Sequence, residues 1–429
     1  MKNPRATPMN RSTSVHLKAA LLAFVLLLPV YSRAEIMVQL ITQALVAHPS
    51  IQALQAQISA ARVGVESAAW QFYPTPGFRV EEGRTQSSGN LTSTVLSLQQ
   101  PIWTGGRLTA GKEKAESSVL FNQASLEGMR QQLALQVVQT YSDWLLGHLK
   151  TIANKRSLDA HAELKKKLKR RIETGVSAES DMAQVQSRMS TIYSDIALAK
   201  SQKDAALARL AQLLGSYPDT TQLATDIAQP LEIGLDARLL SDMAQERSPL
   251  VQKARAEAGV QQAVIDERKA NLVPEVFLRA ERQYGDRSSG GTYSDTRFFV
   301  GMSSRFGAGL SSSSGVNEAR HLHQAAQAEI EVQKLAVSAQ VQADHVLAMS
   351  FVSRQESLHA SFQAALQVSE SYARQFMAGR KSWVDVMNAQ RDLTQIELQL
   401  AELTASRVVL SWRMAIYSAG LASAVGEIK

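Results

Sequence analysis

Pro74 and Pro274 open two near-copies of one layout, set 200 residues apart. The first copy, Pro74 to Trp103, reads PTPGFRVEEGRTQSSGNLTSTVLSLQQPIW. Two extended runs, Pro76 to Arg84 and Leu91 to Trp103, flank a polar turn from Thr85 to Asn90. Pro74 and Pro101 sit near the outer ends. Proline stops a helix and biases the residue before it toward extended structure. The second copy, NLVPEVFLRAERQYGDRSSGGTYSDTRFFVGMSSRFG, repeats strand, polar turn and strand. His48-Pro49 is matched by Ser248-Pro249 at the same offset. A self-similar period this long marks a duplicated unit. Each unit must splice a β-hairpin between long segments rich in Ala, Gln and Leu.

Those segments read as helices. Ile36 to Tyr73 is helical, broken near His48-Pro49, because proline is tolerated only in a helix's first turn. Helix resumes after Gly105-Gly106 and runs from about Arg107 to Ile172 without a proline. At 1.5 Å per residue this reaches about 100 Å, a length found in coiled coils and tubes. A turn at Glu173 to Val176 leads to a helix from Ser177 to Leu214. Ile192, Ile196, Ala199, Ala206, Leu210 and Leu213 recur along it at the 3,4 spacing of a coiled-coil seam, with Lys203 interrupting. A linker with two prolines, residues 215–235, joins the halves. The second half predicts helix over 236–273 broken at Pro249, a hairpin over 274–306 and a Gly/Ser bend from Gly307 to Gly315. A long helix then runs from Val316 to Ala378, a turn lies at 379–382, and a last helix spans Trp383 to about Ser418. Leu358, Phe362, Ala365, Tyr372 and Phe376 form one seam; Leu393, Ile396, Leu400, Leu403 and Leu410 form the other, with Arg407 off pattern. The division is therefore 1–34, repeats 35–214 and 236–420 about the 215–235 linker, and a tail 421–429.

The strands carry a second constraint. Val276, Leu278 and Ala280 alternate with Phe277, Arg279, Glu281 and Gln283. Phe298, Val300, Met302 and Phe306 alternate with Arg297, Gly301, Ser303 and Arg305, while Phe299 breaks the polar series. One apolar and one polar face over about 10 residues suits an outer-membrane barrel. Phe72, Tyr73, Trp103, Tyr284, Tyr293 and Phe306 near strand ends suit its interfacial girdles. Four strands cannot close such a barrel, since an open edge in lipid leaves backbone groups unpaired. The reading is an α-helical plus transmembrane β-barrel fold in which three chains supply twelve strands. Residues 1–34 agree with export. Basic residues precede the apolar run Ala19 to Val30, and Ser32-Arg33-Ala34 fits cleavage before Glu35. That run is too short to span a bilayer.

Much chemistry is excluded. The 429-residue chain has no cysteine, hence no disulfide, zinc-thiolate site, thiol nucleophile or lipidated N-terminal Cys. Five of its +7 formal charges lie in residues 1–34, so the remainder is not a nucleic-acid binder. His321 and His323 are two apart on a helix and make a poor metal pair. No HExxH, P-loop or GxSxG motif is present. No enzyme, cofactor or metal site is expected. The basic run Lys165-Lys166-Lys167-Leu168-Lys169-Arg170-Arg171 complements a helix C-terminus, or docks an acidic partner.

Three stretches carry a resemblance: SLQQPIWTGGR (Ser97 to Arg107), GVSAESDMAQVQSR (Gly175 to Arg188) and GRKSWVDVMNAQRDL (Gly379 to Leu393). With the internal repeat, they resemble the TolC family of bacterial outer-membrane efflux and type I secretion proteins across the chain after residue 34. The last stretch also resembles members that export large adhesins. The resemblance implies a homotrimer with one twelve-stranded barrel continued by a helical periplasmic tunnel. It implies a periplasmic adaptor protein and an inner-membrane ABC or proton-driven transporter as partners. It places an aperture ring at Asp385 and Asn388; Asn388 replaces an acid, leaving three carboxylates per trimer rather than six. It places a gate lock at Ser180 and Asp181 on one tip and Phe376 and Lys381 on the other. Phe376 stands where the family has a hydroxyl-bearing aromatic. The adaptor-docking tips would be Gly175, Val176, Gly379 and Arg380. The rival reading is a soluble periplasmic coiled-coil adaptor, but the lipoyl-like β-domain of such adaptors is not visible here.

Overall fold

The computed structural model describes residues 35–85, 89–223, 236–287, 291–304 and 311–426. The export-signal reading of residues 1–34, residues 224–235 of the linker, Arg305 and Phe306, residues 307–310 of the bend and the end of the tail lie outside them. In chain order the first half holds α1 (Glu35–Ala47), α2 (Pro49–Trp70), β1 (Thr75–Thr85), β2 (Gly89–Trp103), α3 (Arg107–Glu173) and α4 (Glu179–Leu214). A single turn, α5 (Thr220–Leu223), follows. The second half holds α6 (Ala237–Arg247), α7 (Pro249–Ala270), β3 (Glu275–Arg287), β4 (Gly291–Ser303), α8 (Ser311–Met377), α9 (Trp383–Ala419) and the short α10 (Leu421–Val425).

The prolines act as the sequence predicts. Pro49 and Pro249 occupy the first turns of α2 and α7, where no N–H is needed. His48 caps α2 by accepting from the Ser50 N–H at 3.3 Å, and Ser248 caps α7 by accepting from Val251 at 3.5 Å. Helices α3 and α8 have 67 residues each, as a duplication requires. Three boundaries differ from expectation. The strands reach further into both polar turns, because β1 and β2 stay paired out to Thr85 and Gly89. Pro101 lies inside β2; the register shifts between it and Trp103, accommodating the missing donor. Ser311 to Gly315, read as bend, are helical, since serines are well placed at a helix start.

The strands form one antiparallel sheet in the order β1-β2-β3-β4, so the two hairpins join edge to edge through β2 and β3. Phe277 pairs directly with Gly301, and its ring covers that glycine; an added Cβ there would collide with the ring.

Below the sheet the helices pack as a bundle with three apolar centres among the described residues. The largest gathers Trp144, Trp412, Tyr141, Ile41, Leu133, Leu210 and Leu214 from α1, α3, α4 and α9. The Tyr141 hydroxyl donates to the Leu223 carbonyl at 3.0 Å and anchors α5. Leu214, not Leu213, is the deeper seam residue. A second centre joins α6, α7, α8 and α9 through Leu240, Val251, Val341 and Leu410. The third lies at the far end of the helices, with Leu168, Val185, Phe376, Trp383 and Val386. The off-pattern Arg407 donates to Gln355 at 2.6 Å.

Candidate channel wall and periplasmic tips

Alternation places two chemistries on opposite faces of the sheet. On one face lie Phe78 and Val80 of β1, Leu96 and Leu98 of β2, Leu278 of β3, and Phe298, Val300 and Met302 of β4. The last three are 82%, 78% and 73% exposed. Register aligns them across strands: Phe78 with Leu96, Leu98 with Ala280, Ala280 with Phe298, and Leu278 with Val300. The opposite face is polar and internally paired. Arg79 meets Glu81 at 3.5 Å, Arg279 meets Glu281 at 3.1 Å and Arg297 meets Asp295 at 2.8 Å. Gln283 donates to the Ser93 hydroxyl at 2.7 Å and the Tyr293 hydroxyl at 3.0 Å. Arg279 lies 4.9 Å over the Phe277 ring, so this face buries an aromatic under a cation. Apolar patches this large on an unpaired sheet mark contact with lipid or another chain.

The aromatic girdle is partly as predicted. Trp103, Phe72 and Tyr73 are exposed at the helix-side rim, joined by Trp70, whose ring lies 5.2 Å from Tyr73. Trp70 was missed because it ends a helix rather than a strand. Tyr293 is not a girdle residue. It is paired with Gly285 on the polar face, because it shares the parity of Asp295 and Arg297.

At the opposite end the two tips have one geometry. Gly175 and Gly379 both adopt φ of 75°, the left-handed conformation that glycine tolerates without a Cβ penalty. Val176 N–H bonds to Arg171 O at 2.8 Å and Gly175 N–H to Ile172 O at 2.9 Å. Arg380 N–H bonds to Gln375 O at 2.9 Å and Gly379 N–H to Phe376 O at 3.0 Å. Both are Schellman motifs, which satisfy the helix-terminal carbonyls. Val176 is left 60% exposed at the first tip, and Arg380 is exposed at the second.

Asp385 opens α9 inside a capping box. Its carboxylate accepts from the Ser382 hydroxyl at 2.8 Å and the Ser382 N–H at 3.2 Å. The hydroxyl bond, then the backbone bond, hold its carboxyl below the usual aspartate range. Asn388, one turn on, is exposed. Lys381 sits 3.9 Å from Asp385 and 4.3 Å over the Tyr372 ring. Within one chain, among the described residues, it forms no ion pair with Asp181. Ser180 is exposed and Asp181 is half-buried at the start of α4. Phe376 is buried, its ring 5.3 Å from Trp383.

Beside the third apolar centre, Arg171 ties the tips together within the chain. It donates to Phe376 O at 2.9 Å, Met377 O at 3.2 Å and the Ser177 hydroxyl at 3.2 Å. Its guanidinium lies 4.6 Å over the Phe376 ring. In sequence it was hidden as the last member of a basic run. The run itself divides: Leu168 is fully buried, while Lys166 pairs outward with Glu163 at 2.7 Å.

Among the described residues no group of His, Asp or Glu is placed to hold a metal ion, and no helix is long and apolar enough to cross a membrane.

The family model for outer membrane efflux proteins matches residues 40–216 and 240–413, one block for each repeat. The chain belongs to the outer membrane efflux protein family. It is 23% identical to outer membrane efflux protein BepC of Brucella suis biovar 1 (strain 1330), over 82% of this chain and 78% of that one. It is 26% identical to the nickel-cobalt-cadmium resistance protein NccC of Alcaligenes xylosoxydans xylosoxydans, over 77% and 76%. Its fold matches the outer-membrane channel OprN with a TM-score of 0.79 at 19% identity, covering 90% of this chain and 89% of that one. This efflux-family chain is an outer-membrane exit duct: barrel strands above, a helical tunnel reaching into the periplasm below. The family transports rather than catalyses.

Proposed function

We propose that three copies of this chain assemble into one duct. Its barrel has twelve strands, closed by pairing β1 of each copy with β4 of the next. The observation that carries this is, among the described residues, a four-stranded sheet with two unpaired edges and a continuous apolar face. In lipid such edges must be closed. The apolar face then meets lipid and the paired charges line water. The duct passes cargo delivered by an inner-membrane transporter, ABC or proton-driven, through a periplasmic adaptor. The chain itself performs no catalysis. The names of both relatives, an efflux protein and a metal-resistance protein, favour small-solute or ion efflux. The tip sequence from Gly379 to Leu393 favours type I secretion as the second reading.

The tips form the gate. Asp385 and Asn388 ring the aperture. Ser180 and Asp181 meet Lys381 across the tips of adjacent copies, Phe376 backs that contact from within its own chain, and Gly175, Val176, Gly379 and Arg380 present the adaptor-docking surface. Each exposed pair is worth only about 0–1 kcal/mol. Three copies acting together bias a closed state that a partner must overcome. The test is single-channel conductance of the purified protein in planar bilayers. Wild type gives a small, stable conductance, and Asp181→Ala with Lys381→Ala gives a larger, noisier one. Equal conductances discard the lock; no conductance from either protein discards the duct.

A further inference from the structure

Arg282 is the charge set deepest in the apolar face; Glu82, Arg84 and Asp286 share its parity but lie nearer the outer rim. Parity puts Arg282 with Leu278 and Ala280, not with the paired arginines of the other face, and its cross-strand neighbours are Leu96 and Thr296. It is exposed, and no carboxylate lies within ion-pair distance among the described side chains. The arginines of the polar face, Arg79, Arg279 and Arg297, each have one. Arg282 instead lies over the Tyr284 ring, 5.3 Å from its centroid. Tyr284 is two residues further from the helices, so the side chain leans toward the outer rim.

Height makes this placement informative. A strand rises about 3.4 Å per residue, and a tilt near 40° reduces that to about 2.6 Å of height. Val276 marks the rim beside Trp103, its cross-strand partner. Arg282 therefore stands about 16 Å above that rim, inside an apolar band about 25 Å tall. The neighbours one step higher are Thr94, Tyr284 and Ser294, which supply hydroxyls but no charge; one step further, Thr92 pairs with Glu82 on one side and Asp286 on the other, so an external anion must bind below that row. A cation at this depth is expensive unless it reaches the interface and finds an anion. An arginine leaning outward along its own strand spans most of the gap.

We propose that Arg282 and Tyr284 form a lipid-headgroup site whose ligand is a phosphomonoester of an outer-leaflet glycolipid. The guanidinium grips the phosphate in its two-pronged geometry and the tyrosine hydroxyl sits at the same interface. The site rests on the barrel reading above, which puts this face in lipid.

The test uses the full channel reconstituted in phosphatidylethanolamine vesicles. These are doped with a diphosphorylated glucosamine-disaccharide lipid, or with the same lipid after enzymatic removal of its phosphates. Lipid retained after detergent extraction is counted by native mass spectrometry. Wild type should retain the phosphorylated lipid over the dephosphorylated one, and Arg282→Gln should lower that retention about tenfold. Arg282→Lys should fall between them, and Arg79→Gln on the polar face should match wild type. Inorganic phosphate in solution should not compete; competition would mean a water-facing anion site and would overturn the placement. Equal retention of both lipids by wild type, or undiminished retention by Arg282→Gln, would overturn the site. If Arg282→Gln fails to assemble, the wild-type comparison of the two lipids still decides. Retention of no lipid at all, phosphatidylethanolamine included, would strike the barrel reading instead.

Discussion

Replacing Arg171 by methionine probes the tip most directly. The side chain crosses from the end of α3 to the end of α8, donating to Phe376 O at 2.9 Å, Met377 O at 3.2 Å and Ser177 Oγ at 3.2 Å. Each such bond is worth about 0.5–1.5 kcal/mol net. The stacking over Phe376 adds about 0.5–1 kcal/mol at a partly exposed site. Ordering a long side chain offsets up to about 2 kcal/mol. The balance is about 2 kcal/mol per chain, or about 30-fold in a local opening equilibrium. Methionine keeps the apolar stem against Phe376 and removes every donor. Hydrogen exchange of the amides at Gly175, Val176, Gly379 and Arg380 should therefore accelerate about 30-fold. Amides of the Trp144–Trp412 centre, far up the bundle, should not change. Arg171→Lys keeps charge without the fork and should recover only part of the protection. Unchanged tip exchange in Arg171→Met, or full recovery in Arg171→Lys, would refute the strap.

Other sites give independent checks. Gly301→Val forces a Cβ into the Phe277 ring, so heat-stable assembly should be lost while helix content by circular dichroism persists. Asp344 is 1% exposed and gripped by Arg413 through both carboxylate oxygens. Asp344→Ala strands that cation at a cost of about 3 kcal/mol, and adding Arg413→Leu should restore much of the lost melting temperature. His161 is fully buried, with Nδ1 at 2.7 Å from Ser157 O. Burial first, and Arg188 after it, hold its pKa below the ordinary 6.5, against the Ser157 bond. The folded state thus binds fewer protons than the unfolded one, so stability is full above pH 6.5 and falls as pH drops below it. His161→Gln should flatten the acid side of a melting-temperature profile, and an unaltered profile would discount this residue.

The sequence made the duplication and the helix breaks readable because prolines and glycines act locally. Pro49 and Pro249 mark helix starts whatever packs around them, and Gly175 and Gly379 mark helix ends. Strand faces were readable from parity, except where aromatic character outweighed it, as at Tyr293. Strand ends were less readable, since polar turn residues pair as well as apolar ones when the ladder continues. Interactions between distant segments left no local trace. Nothing near Arg171 announces carbonyls some 205 residues away, and nothing near Asp344 announces Arg413. Arg282 looked like one more polar residue until the register of both neighbouring strands placed it among leucine, alanine and phenylalanine.

The central claim is that single chains cannot seal a membrane and three can. Native mass spectrometry of the detergent-extracted protein, with bilayer conductance measured on the same fraction, tests it. The account predicts a species of three chains that resists dissociation until heated and conducts ions across a bilayer. A detergent-independent, water-soluble single chain without conductance would contradict it.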